Sequence, residues 1–332
     1  MRVWATATGV GSWPGVTPRP AAEVIVGELP LPFLPELPNR GVGADMIGRA
    51  GALLVDVAID TVPRGYRIVP RPGAVTRRAA GMLGEDLDAL EEAWEKSGAS
   101  GVVKVQAPGP LTLAAQLELP NGHRAITDPG AVRDLAASLA EGVARHRAEV
   151  ARRLSATVVV QFDEPLLPAV LAGRLAGVST LSPVHPVDEA RAIALLDECA
   201  AAAGGEVLLH CCADDMPWSV LQRSSFGAVC IDASSLGDTA LDGLGEFVDS
   251  GRAVVLGLVP AIAPERVPRA DDIAAAAAAI TDRLGFPRSV LGERIGISPS
   301  CGLAGATAEW ARAATQLTQR AAAAITEDPD AI

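Results

Sequence analysis

The sequence predicts an α/β protein built as one (β/α)8 barrel of the TIM type. Eight short apolar runs alternate with segments of helical spacing, which implies parallel strands because each crossover returns the chain to the same sheet end. The alternation spans about 300 of the 332 residues, the size of one such barrel. Most residues with useful chemistry follow the apolar runs, and barrels carry their sites at these carboxyl ends. A doubly wound open sheet is the alternative, but it would not bring strands five and eight together.

The predicted strands are Val3–Val10, Leu53–Ala58, Val102–Gln106, Thr157–Phe162, Glu206–Leu209, Ala228–Ile231, Ala253–Val259 and Arg294–Ser298. The predicted helices are Ala44–Gly51, Leu87–Ser97, Asp128–Leu154, Pro186–Ala203, Leu241–Asp249, Arg269–Leu284 and Ala306–Ile325. Asp128-Pro129 is a helix start signal. The single barrel domain is expected to span 1–332, with a frayed acidic tail at 326–332. A Pro-rich loop at 12–43 is expected over the site, because proline blocks regular structure and long excursions often build binding sites.

Composition excludes several classes of function. Hydrophobic residues make up 49% of the chain and charged residues 20%, which is enough for a large core. The net charge of −12, without any basic cluster, argues against nucleic acid as the main partner. Five cysteines, an odd number, favour a reducing cytoplasm over a disulfide framework. No apolar run reaches the roughly 20 residues that span a bilayer, so a soluble cytoplasmic protein without membrane contact is predicted.

A group of potential metal ligands follows three of the predicted strands. His210 and Cys212 end the fifth strand, and their i, i+2 spacing places both side chains on one side. Asp232 ends the sixth strand and Cys301 follows the eighth. An imidazole, two thiolates and an oxygen fit tetrahedral zinc, and three ligands with a displaceable fourth fit a catalytic zinc. The alternative is that these residues belong to the core, since cysteine is among the most buried residue types.

Five motifs together resemble the C-terminal catalytic barrel of cobalamin-independent methionine synthase, over about residues 5–320. They are Gly11-Ser12-Trp13-Pro14, Gly109-Pro110-Leu111-Thr112, Gln161-Phe162-Asp163-Glu164-Pro165, His210-x-Cys212 and Pro299-Ser300-Cys301-Gly302-Leu303. Gly-Pro-Leu-Thr alone is a weak signal, whereas the ordered set is specific. The resemblance implies a single catalytic barrel of the short branch of the family.

The resemblance also implies roles for individual residues. His210, Cys212 and Cys301, with the acid of strand six, would hold a Zn²⁺ ion that binds homocysteine as its thiolate. Asp163 would bind the amino-acid end of the substrate, and Ser12 its carboxylate; these two are the candidate catalytic residues. The alternative for Asp163 is a helix cap, because Asp before Glu-Pro is a good helix start signal.

Two further residues are predicted from position to bind substrate. Trp13 flanks the rim and could form a pocket wall, although aromatic residues more often simply pack. Lys104 lies inside the third strand, where a lysine is rare unless it is paired. It could bind an anion, pair with Asp163, or carry over an inherited ion pair.

Three departures from the family pattern affect the substrate expected. Asp232 stands where the family has glutamate, one methylene longer, so it is a direct or an indirect ligand. The family histidine after strand seven has no counterpart, and His185 is the unassigned histidine near a rim loop; His123 and His146 are expected at the surface. The acid that grips the substrate amine has two nearby candidates, Glu36 and Asp45.

The predicted function is zinc-dependent methylation of a small thiol, homocysteine or a relative, with methylfolate or a methyl-corrinoid protein as the donor. The first alternative is thiol alkylation of the epoxyalkane–coenzyme M transferase type. Methyl transfer from a corrinoid to coenzyme M is a variant of it. The second alternative is a barrel, with or without zinc, that has lost catalysis and serves in binding or regulation.

Overall fold

The computed structural model of the chain describes residues 3–179, 181–234 and 236–332. Its strands are β1 (Ala58–Val62), β2 (Gly65–Val69), β3 (Val102–Pro108), β4 (Leu117–Glu118), β5 (Thr157–Asp163), β6 (Val207–Cys211), β7 (Ala228–Asp232), β8 (Ala253–Val259) and β9 (Ile295–Pro299). Its helices are α1 (Pro18–Glu28), α2 (Met46–Ala50), α3 (Ala74–Ser97), α4 (Pro110–Gln116), α5 (Pro129–Leu154), α6 (Leu167–Leu171), α7 (Glu189–Ala203), α8 (Trp218–Arg223), α9 (Asp238–Asp249), α10 (Ala270–Arg283), α11 (Ser289–Arg294) and α12 (Ala308–Glu327).

Six parallel strands form the central sheet in the order β3-β5-β6-β7-β8-β9. They correspond to the third through eighth predicted strands, which are near-continuous apolar runs because both faces of a barrel strand are buried. The register places Asp163 opposite His210, and His210 opposite Cys230. The carboxyl ends of β5, β6 and β7 therefore meet at one rim, as the barrel prediction requires.

Two irregular segments, 6–13 and 31–36, close the sheet into a barrel. Segment 6–13 lies beside β9 and is bonded to it on both sides of Ile297, at 3.0 and 3.1 Å. Segment 31–36 lies beside β3 and is bonded to it on both sides of Lys104, at 2.8 and 2.9 Å. The two segments bond to each other between Trp13 and Glu36. The predicted TIM-like fold is confirmed, with eight positions around the barrel.

The structure corrects three predictions in the first half of the chain. Residues 3–10 make one isolated bridge, between Ala7 and Ile297, rather than a continuous strand. Residues 53–58 are not a barrel strand: β1 starts only at Ala58 and pairs with β2 in a hairpin outside the barrel. The segment 12–43 is not one loop, since it contains α1 and the second barrel position, 31–36. Prolines are compatible with that position because their backbone needs only to accept hydrogen bonds there. The carbonyl oxygen of Pro32 accepts one from the backbone N–H of Lys104.

The helix predictions mostly hold, with boundary changes. Asp128 caps α5 by accepting from the backbone of Gly130 and Ala131, as its start signal predicts. Helix α3 begins thirteen residues before the predicted Leu87. Within the tail expected at 326–332, α12 continues to Glu327 and a 3₁₀ turn follows at Pro329–Ala331. In the described part of the chain, no helix combines the length and apolarity needed to cross a bilayer.

Side chains alternate between two apolar layers. A small cluster fills the barrel interior and includes Val159, Leu208, Cys230 and Val255. The main cluster lies between strands and helices and contains Phe162, Leu209, Cys211 and Trp13, among others. Cys211 and Cys230 are therefore core thiols on opposite sides of the sheet.

The contact between α5 and residue 53 gives a test of the fold. A Cβ at Gly142 would lie 1.9 Å from the Leu53 carbonyl oxygen, whereas a Cβ at Gly81 of α3 would meet nothing within 4 Å. We expect Gly142→Ala to destabilise the protein by about 1–3 kcal/mol through overpacking. Gly81→Ala, the matched control, should stabilise it by up to about 1 kcal/mol through helix propensity. Urea unfolding midpoints measure both; equal midpoints would contradict this packing.

Candidate metal centre and active site

Three predicted ligands converge at the rim of the barrel. One ligand atom each from His210, Cys212 and Cys301 lies within 4.8 Å of the others, and this is the only such group among the described residues. His210 comes from the end of β6, Cys212 follows it directly, and Cys301 follows β9. The ends of these strands meet because the sheet curls into a barrel.

The imidazole is oriented with one nitrogen left for a ligand. His210 Nδ1 lies 2.7 Å from Asp163 Oδ1, while His210 Nε2 is buried and has no hydrogen-bond partner. Buried polar nitrogens are rarely left unpaired, so an unpaired one requires an explanation. A metal ion bound at Nε2 would provide it, because a metal-ligating histidine usually donates its other ring N–H to a carboxylate.

The two sulfurs are spaced for a shared ion. Cys212 Sγ and Cys301 Sγ lie 3.5 Å apart, and both cysteines are free thiols that are half-buried. Tetrahedral zinc with Zn–S bonds of about 2.3 Å would separate two sulfurs by about 3.8 Å. One imidazole and two thiolates therefore fit a zinc ion with a fourth position left open.

The thiol pair gives up its first proton easily. The hydrogen bond shared with Cys212 lowers the pKa of Cys301 below its usual range, against the effect of burial and with help from the nearby His210. The same contact, together with burial, raises the pKa of Cys212 above its usual range. The pair thus holds one negative charge near neutral pH and keeps its second proton for a stronger acceptor or a cation to remove.

Asp163 and Glu164 of the Asp-Glu-Pro motif have separate roles. Asp163 Oδ1 accepts from Gln161 Nε2 at 2.7 Å as well as contacting His210. Glu164 caps α4: its carboxylate accepts from the backbone of Leu111 and Thr112 and from the Thr112 hydroxyl. Asp163 does not cap a helix, so the alternative reading of this motif is wrong. The following helix, α6, has no side-chain cap.

The structure corrects two predicted substrate-binding residues. Lys104 is fully buried below the rim, where its ammonium donates to the carbonyls of Gly9 and Val10 and to Gln161 Oε1. It is not part of the cavity wall, and it reaches Asp163 only through Gln161. Trp13 packs in the main core, because its neighbour Ser12 faces the cavity and successive side chains point to opposite sides.

A cavity of about 290 Å³ opens above the ligands. Its wall consists of Val10, Gly11, Ser12, Glu36, Pro38, Ala44, Met46, Asp163, Pro165, His210, Cys212, Cys301 and Gly302. This volume is at the lower end of the range for small-molecule sites. Segment 12–43 contributes Ser12, Glu36 and Pro38 to this wall.

Glu36 is a cavity residue that the sequence left only as one of two candidates. It sits on the second barrel segment, with Oε1 3.5 Å from the guanidinium of Arg49. Arg49 and Arg40 both bind the fully buried Asp86, and Arg40 also lies 3.4 Å from Glu85, so two guanidinium groups face three carboxylates with Glu36 included. Burial raises the pKa of Glu36 to about 7 because the distant Arg49 offsets it only in part, and Asp163 raises it further.

Other candidates lie away from the cavity. Asp45 caps α2 and accepts from the hydroxyl of Tyr66, so it holds the α2 loop to the β1–β2 hairpin. His185 is exposed, in a groove beside α5 and α7. His146 is buried, contrary to the expectation of a surface residue, and burial lowers its pKa to about 3.

Comparisons with known proteins agree with this geometry. The family described as "Cobalamin-independent synthase, Catalytic domain" matches residues 4–324. The chain belongs to this family. This match confirms the family resemblance found in the motifs. It identifies the chain as a methionine-synthase-like enzyme of the methyltransferase class.

Two solved structures share the fold of this family member. A putative vitamin-B12-independent methionine synthase from Listeria monocytogenes has 16% identity and a TM-score of 0.59, covering 97% of both chains. A B12-independent methionine synthase from Shewanella sp. W3-18-1, in complex with selenomethionine, has 13% identity and a TM-score of 0.53, covering 83% of this chain and 76% of its own. No curated protein matches the sequence.

Asp232, at the end of β7, corresponds to the acid that the family carries on its sixth barrel strand. It lies outside the group formed by His210, Cys212 and Cys301. Its Oδ1 accepts from the backbone and the hydroxyl of Ser234. Among the described residues, only His210, Cys212 and Cys301 meet the distance criterion for a shared ion. Direct ligation by Asp232 stays a prediction.

The low pKa of Cys301 predicts selective alkylation of the metal-free protein. A lowered pKa makes Cys301 a thiolate at a lower pH than an ordinary cysteine, so its iodoacetamide rate should approach a plateau at a lower pH. Cys211 and Cys230 are the internal controls, since burial raises their pKa to about 12 and about 11. Peptide mass spectrometry after short pulses at pH 5.5–8.5 measures this. A Cys301 rate that rises tenfold from pH 7 to pH 8 would contradict it.

Proposed function

We propose that this family member is a zinc-dependent methyltransferase that methylates the sulfur of a small amino-acid thiol, homocysteine or a close relative. The observation that carries the proposal is the unpaired Nε2 of His210 beside two thiols at the end of an amino-acid-sized cavity. His210, Cys212 and Cys301 would hold the ion. When bound, Zn²⁺ would supply the positive charge that keeps an incoming thiol ionised at neutral pH.

The cavity offers a receptor for an ammonium group. Glu36 and Asp163 both line it, and the charge of Asp163 disfavours ionisation of Glu36. A cation bound between the two carboxylates would relieve this repulsion. Among described residues, the hydrogen bonds to Asp163 all fall on Oδ1, which leaves Oδ2 for a ligand. An α-ammonium between these carboxylates would make charge-assisted hydrogen bonds in a largely enclosed site.

Ser12 supplies a neutral donor for the other end of the substrate. It faces the cavity next to the Cys301 loop, and a Cβ on Gly302 would come within 2.0 Å of its hydroxyl oxygen. The glycine therefore leaves room for that hydroxyl, which would donate to a substrate carboxylate. The selenomethionine in the Shewanella structure supports an amino-acid ligand for this fold.

The cavity lining disfavours the coenzyme M alternatives. A sulfonate thiol needs a cationic partner, but none of the described residues that line the cavity is a lysine or an arginine. Two carboxylates there would repel the sulfonate. The methyl donor is proposed to be methylfolate or a methyl-corrinoid protein, approaching from the open mouth toward the sulfur.

Assays with homocysteine test the proposal directly. Zinc-loaded protein should form methionine with methylcobalamin, standing in for a corrinoid protein, or with methylfolate. Product is measured by mass spectrometry, and protein without metal is the control. Absence of product with both donors from a protein that contains zinc would overturn the proposed reaction.

The metal assignment predicts a difference between cysteines. We expect about one zinc per chain, and Cys301→Ser should lower bound zinc after dialysis to background. Cys230→Ser is the matched control, because Cys230 is a buried thiol that contacts Ser298 and is not among the three ligands. Elemental analysis by mass spectrometry gives the stoichiometry. Full zinc in Cys301→Ser, or equal loss in both variants, would contradict the assignment.

The raised pKa of Glu36 predicts a pH-dependent KM. Glu36 is protonated below about pH 7 and becomes a carboxylate above it, so the attraction for an ammonium grows as pH rises. We expect the KM for homocysteine to fall from pH 6 to pH 8 more steeply in the natural protein than in Glu36→Gln. At pH 8, Glu36→Gln should raise KM by about 10- to 100-fold, the scale of a charged hydrogen bond.

A substrate without the amine provides the control for this prediction. The KM for 4-mercaptobutyrate, which lacks the ammonium group, should not rise in Glu36→Gln. Initial rates at each pH give the ratio between the two proteins, which cancels thiol ionisation common to both. Equal effects on the two thiols would show that Glu36 does not bind the amine.

A further inference from the structure

A buried lysine below the cavity is linked to the metal centre by three hydrogen bonds in series. Lys104 donates to Gln161 Oε1, Gln161 Nε2 donates to Asp163 Oδ1 at 2.7 Å, and Asp163 Oδ1 lies 2.7 Å from His210 Nδ1. Lys104 and Gln161 are both almost completely buried, and neither touches the cavity. We call Lys104 and Gln161 the relay pair.

The chemistry of the relay pair fixes the direction of each bond. An ammonium has only donors, so the Gln161 amide must turn its oxygen toward Lys104. Its NH₂ then faces Asp163 and the carbonyl of Val10, to which it also donates at 2.7 Å. The reversed amide would place an oxygen against a carboxylate and leave a buried ammonium next to two donors, which is costly at a buried site.

We propose that Lys104 and Gln161 are positioning residues that hold the Asp163 carboxylate in one rotation, with Oδ1 toward His210 and Oδ2 toward the cavity. This orientation keeps the His210 ring in the tautomer that leaves Nε2 facing Cys212 and Cys301. The relay pair therefore sets the geometry of the metal site from a position that contacts neither metal nor substrate. The substrate part of this inference rests on the proposed function; the metal part does not.

Lys104 also ties the relay pair to the first barrel segment. Its two remaining protons go to the carbonyl oxygens of Gly9 at 2.7 Å and Val10 at 3.1 Å. These residues lead directly to Ser12, which faces the cavity. The Lys104 Nζ lies 5.4 Å from the centroid of the Phe33 ring, which covers the ammonium. The same ring occupies the space that any side chain at residue 9 would need. One cation thus fixes both the imidazole and the segment that carries Ser12.

Metal affinity and a cobalt spectrum test the relay. Lys104→Met removes the cation, and Gln161→Leu removes the donor to Asp163 while keeping Lys104. We expect each to weaken Zn²⁺ binding 10- to 100-fold in competition with a chromophoric chelator, the usual effect of losing an outer partner of a ligand. Co²⁺ in the same site should show shifted visible absorption bands, because the orientation of the imidazole changes.

Matched controls separate this from general destabilisation. Gln106→Leu removes an equally buried glutamine that pairs in register with Gln161 but donates to Leu34. Lys96→Met removes the other lysine, which is exposed and bound to Glu92. Both should keep the affinity and the cobalt spectrum, whatever they do to the unfolding midpoint. Circular dichroism checks that each variant is folded; if Lys104→Met is not, Gln161→Leu carries the test.

The outcomes distinguish this inference from the proposed reaction. Folded relay variants that bind Zn²⁺ as tightly as the natural protein, with its cobalt spectrum, would overturn the relay. So would a natural protein that binds neither metal, or controls that lose affinity equally. A natural protein that binds zinc but methylates no thiol would overturn the proposed reaction and leave the relay standing.

Discussion

The contact between Asp163 and His210 is the interaction on which the site depends. It joins residues that lie opposite each other on adjacent strands, so the register of β5 and β6 determines it. A shift of either strand by one residue would turn its side chain, Asp163 or His210, into the helix layer, because side chains alternate along a strand. The apolar neighbours Phe162 and Leu209, both buried in the main core, prevent that shift. Core packing in the outer layer thus fixes chemistry in the inner one.

Polar groups inside the barrel fall into two sets. In the complete set every hydrogen-bonding proton has an acceptor, and in the incomplete set a polar atom lacks a close partner. Below the rim, each proton of the Lys104 ammonium and of the Gln161 amide has an acceptor, as burial requires. At the rim, His210 Nε2 has no partner, and Glu36 has only a distant one. Leaving such groups incomplete costs stability, and both His210 and Glu36 line the cavity, where a bound ligand would complete them. The complete set supports the incomplete one and prevents it from relaxing into other contacts.

The sequence was sufficient for most of the barrel and for the three residues of the candidate metal site. Buried parallel strands read as apolar runs, and residues at their ends must share a rim, which is why His210, Cys212 and Cys301 were found. The first barrel position was misjudged because it pairs through isolated bridges, and the second was missed because it also contains prolines. Lys104 and Trp13 were wrongly predicted to line the substrate site. That prediction used only their position near the rim and ignored that successive side chains point to opposite faces. Glu36 could not be assigned, since its place depends on Arg49 and Asp86, which are remote in sequence.

The family motifs make sense as parts of one structure rather than as a set of catalytic groups. Glu164 never reaches the cavity; it satisfies the first turn of α4, whose residues are the Gly-Pro-Leu-Thr motif. Gly109 is required there, because a Cβ would lie 2.2 Å from the Glu164 carboxylate. Burial raises the pKa of Glu164 to about 7 in spite of three donors, and the hydrogen bonds from these donors hold the carboxyl group in place. Asp163 is the adjacent residue, so its backbone is held in place as well. A hydrogen bond to an imidazole at fixed geometry requires such a fixed backbone. Two motifs separated by fifty residues are thus one mechanical support for a single carboxylate.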